Sequence, residues 1–131
     1  MDILPEYLIT CFTTETPVNG WPDLFFIITP CNPHSMGERG DDADAIKTLS
    51  EQLTAAGYWQ HPVDGSSPDG QHREAGFAIG GLDLEDALAL GRQYQQNAIF
   101  SVTQGQLKIH GCFDGISAEL SGFEERLREG A

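Results

Sequence analysis

The sequence predicts one compact α+β domain of order ββαββαββ, with an antiparallel or mixed sheet and two main helices packed on one of its faces. Three observations predict it. The chain has 131 residues, the size of one ordinary domain. Its apolar residues, 40% of the total, fall into short β-rich runs and two helically spaced stripes. Clusters of Gly, Pro, Asn, Asp and Ser separate those runs at short intervals.

Tyr7 to Thr14 is rich in β-branched and aromatic residues and reads as the first strand. Thr16 to Asp23, dense in turn formers, ends it. Leu24-Phe25-Phe26-Ile27-Ile28 is unbroken apolar, the mark of a strand covered on both faces and central in its sheet. Pro30 and Pro33 then force the chain out of the ladder. Asp41 or Asp42 caps a helix running to about Ala56, whose stripe is Ile46, Leu49, Leu53 and Ala56, and Gly57 supplies its left-handed stop.

Tyr58 to Val63 is a short strand, Asp64 to Gly70 an exposed turn, and Glu74 to Gly80 the returning strand of that hairpin. Asp83 caps the second helix, Asp86 stands at the capping-box position, and Leu84, Ala87, Leu88, Gly91 and Tyr94 form its core face. Ala98 to Thr103 is a strand that Gln104-Gly105 turns into Gln106 to Cys112. Ser117 to Glu129 reads as a short, weak helix or a frayed tail.

Charge narrows the function. Twenty acids against seven bases give a formal net charge of −13. Nucleic-acid binding draws its affinity from Lys and Arg displacing counterions, so direct binding to DNA, RNA or an anionic membrane is not expected. A basic protein partner, a metal ion or plain solubility remain. No apolar run reaches the roughly 18 residues that span a bilayer. Met1 to Glu6 has neither a basic n-region nor an apolar h-region. With three cysteines, an odd number read as reduced thiols, the expected compartment is the cytoplasm.

The apolar strand leading into Asn32-Pro33, the hairpin carrying Glu74, and Gly81-Leu82 before a helix ending Gly91-Arg92-Gln93-Tyr94-Gln95-Gln96-Asn97-Ala98 share an order and a spacing. In these features, over about residues 6–112, the chain resembles the bacterial domain of unknown function family numbered 3293. Members of that family usually carry an aromatic residue before Asn-Pro, where this chain has Cys31. The resemblance implies a compact bacterial cytoplasmic domain and brings no reaction, cofactor or catalytic residue.

Two constellations are candidates for chemistry. Asn32, His34, Glu74, Gln96 and Asn97 form a polar set. Asn32 and His34 follow the central strand, where α/β sheets tend to build their sites. Glu74 has apolar neighbours that would desolvate its carboxyl and suit it to general-base work, and Gln96 with Asn97 offers paired donors and acceptors. The structural alternative is that Asn before Pro makes a turn, and that Gln or Asn after a helix satisfies its last carbonyls.

The second constellation is a weak zinc candidate: Cys31-x-x-His34 in one turn, with His110 and Cys112 alternating onto one face of a strand. Its spacing lacks the tight pairs of a zinc knuckle, so no metal and no cofactor are expected. His61 and His72 read as surface residues. Ser35 and Ser101 lack a nucleophile-elbow context, and Gly76-x-x-x-Gly80-Gly81 lacks the Lys-Ser or Lys-Thr of a phosphate loop. The expected function is therefore a non-catalytic protein-interaction or regulatory module, with Asp41, Asp42, Asp44, Glu51, Asp83, Glu85 and Asp86 as the attractive acids. The alternative is a small enzyme or polar-ligand-binding protein built on the polar set.

Overall fold

The computed structural model describes residues 8–30, 42–71 and 73–129. In chain order the elements are β1 (Cys11–Thr14), β2 (Leu24–Ile28), α1 (Asp42–Ala56), β3 (Trp59–Pro62), β4 (Asp64–Ser66), β5 (Arg73–Glu74), β6 (Phe77–Gly80), α2 (Leu84–Gln93), β7 (Ala98–Thr103), β8 (Gln106–Gly111), β9 (Ser117–Gly122), a 3₁₀ turn (Phe123–Arg126) and β10 (Leu127–Glu129). The strands make a six-stranded sheet of order β3-β6-β2-β7-β8-β9 and a four-stranded sheet of order β10-β1-β4-β5. All pairings in the larger sheet are antiparallel, and β1 with β10 is parallel.

β2 occupies the interior position its composition predicts, with β6 on one side and β7 on the other. Its side chains alternate between two cores. Phe26 and Ile28 pack with Leu49 and Leu53 of α1 and Ala87 and Leu90 of α2. Phe25 and Ile27 face the opposite way, into a cluster that includes Phe12, Val63, Phe100 and Phe123. The two helices do lie on one face of the large sheet. The other face, for which the sequence suggested no cover, is closed by the small sheet. The architecture is three layers, helices on sheet on sheet.

The predicted hairpin is one bent hairpin shared by both sheets. Trp59–Pro62 pairs with Phe77–Gly80 in the large sheet, and Gly65 and Ser66 pair with Glu74 and Arg73 in the small one. The bend falls at Val63, which is buried and donates its N–H to the Gly76 carbonyl over 3.0 Å. Gly76 is the tight point: a Cβ there would stand 2.5 Å from the Ile28 carbonyl oxygen and 2.7 Å from a Thr29 methyl. Two sheets can share one hairpin here because residue 76 carries no side chain.

Both helix termini follow their local chemistry. Gly57, at φ 77°, stops α1. Asp83 accepts the Asp86 N–H over 2.9 Å at the start of α2. The β7–β8 turn is the two-residue loop Gln104-Gly105, with both residues at positive φ (48° and 83°).

Several expectations are corrected. The first strand begins at Cys11 rather than Tyr7, which lies outside the described residues, as do Asp41 and His72. Ala56 and Leu84 are exposed, while Leu90, absent from the expected stripe, is buried. The C-terminal segment is neither helix nor tail. β8 offers β9 an open edge, Leu120 packs against the core, and Phe123 is 3% exposed, so tertiary pairing overrides a weak helical pattern.

Candidate functional site

Asn32 and His34 of the polar set, and Cys31 of the metal candidate, lie outside the described residues. The other three polar candidates approach one end of β2. Ile27 pairs with Phe100, so the exit of β2 at Thr29 runs alongside the start of β7, directly after Gln96 and Asn97. On the other side Ile28 pairs with Phe77, and Glu74 precedes it by three residues in the small sheet. Register places Glu74 on the same face of that sheet as Phe12, because Gly65 pairs with both.

Gln96 and Asn97 are 4% and 5% exposed and carry out the end of α2. Gln95 adopts φ 57° and donates its N–H to the Arg92 carbonyl (3.0 Å), while Gln96 donates its own to Gly91 (2.9 Å). That pair of bonds is a Schellman stop with glutamine at the left-handed position. The Gln96 side-chain Nε2 then donates to the Tyr94 carbonyl over 3.1 Å. Asn97 accepts the Cys112 N–H over 2.9 Å with its main-chain oxygen. Glu74, Gln96 and Asn97 all have interaction partners.

The β8 end of the metal candidate is bound up in packing. His110 and Cys112 do share the helix-facing side of the sheet. Cys112 is fully buried, and a Cβ on Gly91 would stand 2.6 Å from its sulfur. Burial pushes the Cys112 thiol up to about 11, against the nearby Arg92 charge. At neutral pH the thiol is protonated and packs as a small apolar group. Arg92 donates from Nε to the Cys112 carbonyl over 2.6 Å, tying the end of α2 to the end of β8. Among the described residues, no group of three or more His, Cys, Asp and Glu side chains is placed to hold a metal ion.

His110 contacts buried Ser101 through Nε2 at 2.8 Å, a pairing that residue spacing did not reveal because it crosses from β8 to β7 diagonally. Burial first, and the Lys108 charge second, hold the His110 imidazole below its ordinary value. A histidine depressed in the folded state contributes stability that is present above its unfolded pKa of about 6.5 and is lost as pH falls through the folded value. The unfolding midpoint is expected to fall as the solution is acidified below about pH 6.5, and the drop to be shallower in His110→Asn. Denaturant melts at stepped pH check this; superimposable profiles in the two proteins would contradict it.

His61, read from sequence as a surface residue, is half-buried and edge-on to Trp21, with ring centroids 5.5 Å apart. Its Nε2 donates to the Glu15 carbonyl over 2.6 Å. Beside it runs an open groove of about 240 Å³ that Thr13, Asp64 and Arg73 also line, with Arg73 and Asp64 paired at 2.7 Å. A second groove, about 270 Å³, lies between the helices over Leu53, Tyr58 and Leu90. Neither is lined by Glu74, Gln96 or Asn97.

The arrangement defines a class: an acidic α/β/β domain whose described polar candidates are engaged at element ends. The family model described as "Protein of unknown function (DUF3293)" matches residues 28–99, more than half of the chain, and the chain belongs to that family. The matched stretch runs from the last residue of β2 to the second residue of β7, narrower than the 6–112 of the resemblance, and holds Glu74, Gln96 and Asn97. No curated protein and no solved structure matches the chain. Among the described residues, no helix is long and apolar enough to cross a membrane.

Proposed function

We propose that the domain is a non-catalytic interaction module of the bacterial cytoplasm that binds a basic protein partner. The observation that carries this reading is the outward placement of the helix acids. Asp44 and Glu51 on α1, and Asp83, Glu85 and Asp86 at the start of α2, are all exposed. Asp44 and Glu51 stand seven residues apart and therefore share a face of α1. Reciprocal amide bonds of 3.1 Å between Gln52 and Gln93, and a 3.0 Å bond from the Tyr94 hydroxyl to Gln52, tie the helices side by side. Along α1 and α2 the only bases are Lys47 and Arg92, and Arg92 is committed to the Cys112 carbonyl.

Part of that acid has local work, since Asp83 caps α2, and Glu85 and Asp86 complement the positive end of its dipole. Asp44 stands in the first turn of α1 and complements its dipole in the same way, whereas Glu51, in mid-helix, has no such duty and is the clearest binding residue. The test is titration with a lysine-rich peptide at low and high salt, using the native chain and Asp44→Asn/Glu51→Gln/Glu85→Gln. Expected are binding to the native chain at low salt, loss at about 1 M salt, where the Debye length is only about 3 Å, and weakening in the variant. Binding unchanged by both salt and the variant, or no binding, would overturn the reading.

A further inference from the structure

We propose that the outer edge of β9 is a docking strip for an extended basic segment of a partner protein, which adds a strand to the six-stranded sheet. The proposal rests on the basic-partner reading above and gives the contact a second location and a form. Sheet edges present unpaired N–H and C=O groups, and folds usually blunt them with short strands, prolines or lysines. Three of the four outer strands are short. β5 has two residues, β10 has three, and β3 has four, ends at Pro62 and has Gln60 bound to Ser50 and Thr54 of α1. β9 has six residues, contains no Pro, Lys or Arg, and has no strand on its outer side among the described residues.

The backbone faces the right way. Gly111 donates its N–H to the Ile116 carbonyl over 2.7 Å, which makes 111 and 116 a hydrogen-bonded pair of the antiparallel ladder. Alternation then turns the N–H and C=O of Ser117 and Glu119 away from β8. Ser117, Ala118 and Glu119 are exposed. Just before the strand, Phe113 and Ile116 are 49% and 47% exposed, apolar footholds for an incoming side chain. Main-chain bonds with alternate side-chain contacts are the usual terms of strand addition.

Charge chooses the occupant. Residues 114–125 carry Asp114, Glu119, Glu124 and Glu125 and no base. Lys108 meets Glu119 at 3.7 Å across an exposed surface, a weak pair that leaves the strip acidic. A second copy would bring its own −13, so a lysine- or arginine-bearing strand fits where self-pairing is opposed.

The test is amide hydrogen exchange by NMR on the full chain with a short peptide of alternating lysine and valine. Protection of the Ser117 and Glu119 amides on peptide addition is expected, with affinity about tenfold weaker in Glu119→Pro, which removes one outward donor, one acid and the weak Lys108 pair but no main-chain bond to β8. A thermal melt checks that this variant folds; if it does not, the native-chain exchange still decides. Peptide binding that leaves both amides unprotected and shifts only α1 and α2 would overturn the edge proposal and leave the charge reading standing. No binding would overturn both, and protection appearing with protein concentration alone would make the occupant a second copy.

Discussion

Phe12→Ala is expected to lower the unfolding free energy by about 3–5 kcal/mol, a large part of the roughly 5–15 kcal/mol that holds a domain of this size together. Phe12 has no exposed surface and projects from β1 between the two sheets. Its ring meets Phe100 edge-on at 5.1 Å and Phe123 at 5.6 Å, and Phe123 in turn contacts Phe25 and Trp21. β1 is also paired on both sides, with β10 and with β4, so its anchor carries the seating of the whole small sheet. Removing the ring deletes a large apolar contact and leaves a void that the paired strands cannot close by collapsing. Urea denaturation followed by tryptophan fluorescence gives the measurement, since Trp21 and Trp59 pack against this cluster. A loss under about 1 kcal/mol would mean that the small sheet does not close the core.

Most of the large sheet was legible in the chain. The unbroken Leu24–Ile28 run marked the interior strand, the Gln104-Gly105 dipeptide marked the β7–β8 hairpin, and Gly57 and Asp83 marked two helix ends, because each depends on local conformational preference or on a continuous apolar run. The small sheet was not legible. Its strands have two to four residues, too few to show a period, and its pairings join Phe12 to Leu127 across almost the whole chain. The bend at Val63 was hidden for the same reason: Val63 reads as one more strand residue, and only the approach of Gly76 to β2 shows why the hairpin changes sheets there.

The candidate site was legible as residue types and only partly as geometry. Gln96 and Asn97 stand at a helix end, where their side chains invite a capping role, and the Gln96 amide does bond a carbonyl there. That Gln95 takes the left-handed position usually given to glycine has no sequence signal of its own. The Ser101–His110 contact needed the β7–β8 register, and the open edge of β9 needed the C-terminal strand that the sequence read as helix or tail.

The interaction-module account requires that the polar residues around the exit of β2 support the fold rather than hold a reactive pocket, and Gln96→Ala tests that requirement most directly. The residue is 4% exposed and its side-chain amide serves the Tyr94 carbonyl at the end of α2. Truncation takes a donor from a buried terminus and leaves other polar atoms short of a partner, at a cost of about 1–3 kcal/mol. For a chain of this length that loss corresponds to a melting temperature lower by several degrees, on the order of 3–5 °C per kcal/mol. Residues kept for ligand binding are often held in arrangements that stability alone would not select, so a pocket role predicts no loss or a gain. Thermal melts of the native chain and Gln96→Ala under identical conditions decide between them: a clear fall supports the bracing role, and an unchanged or higher midpoint contradicts it and favours a polar-ligand site at this end of the sheet.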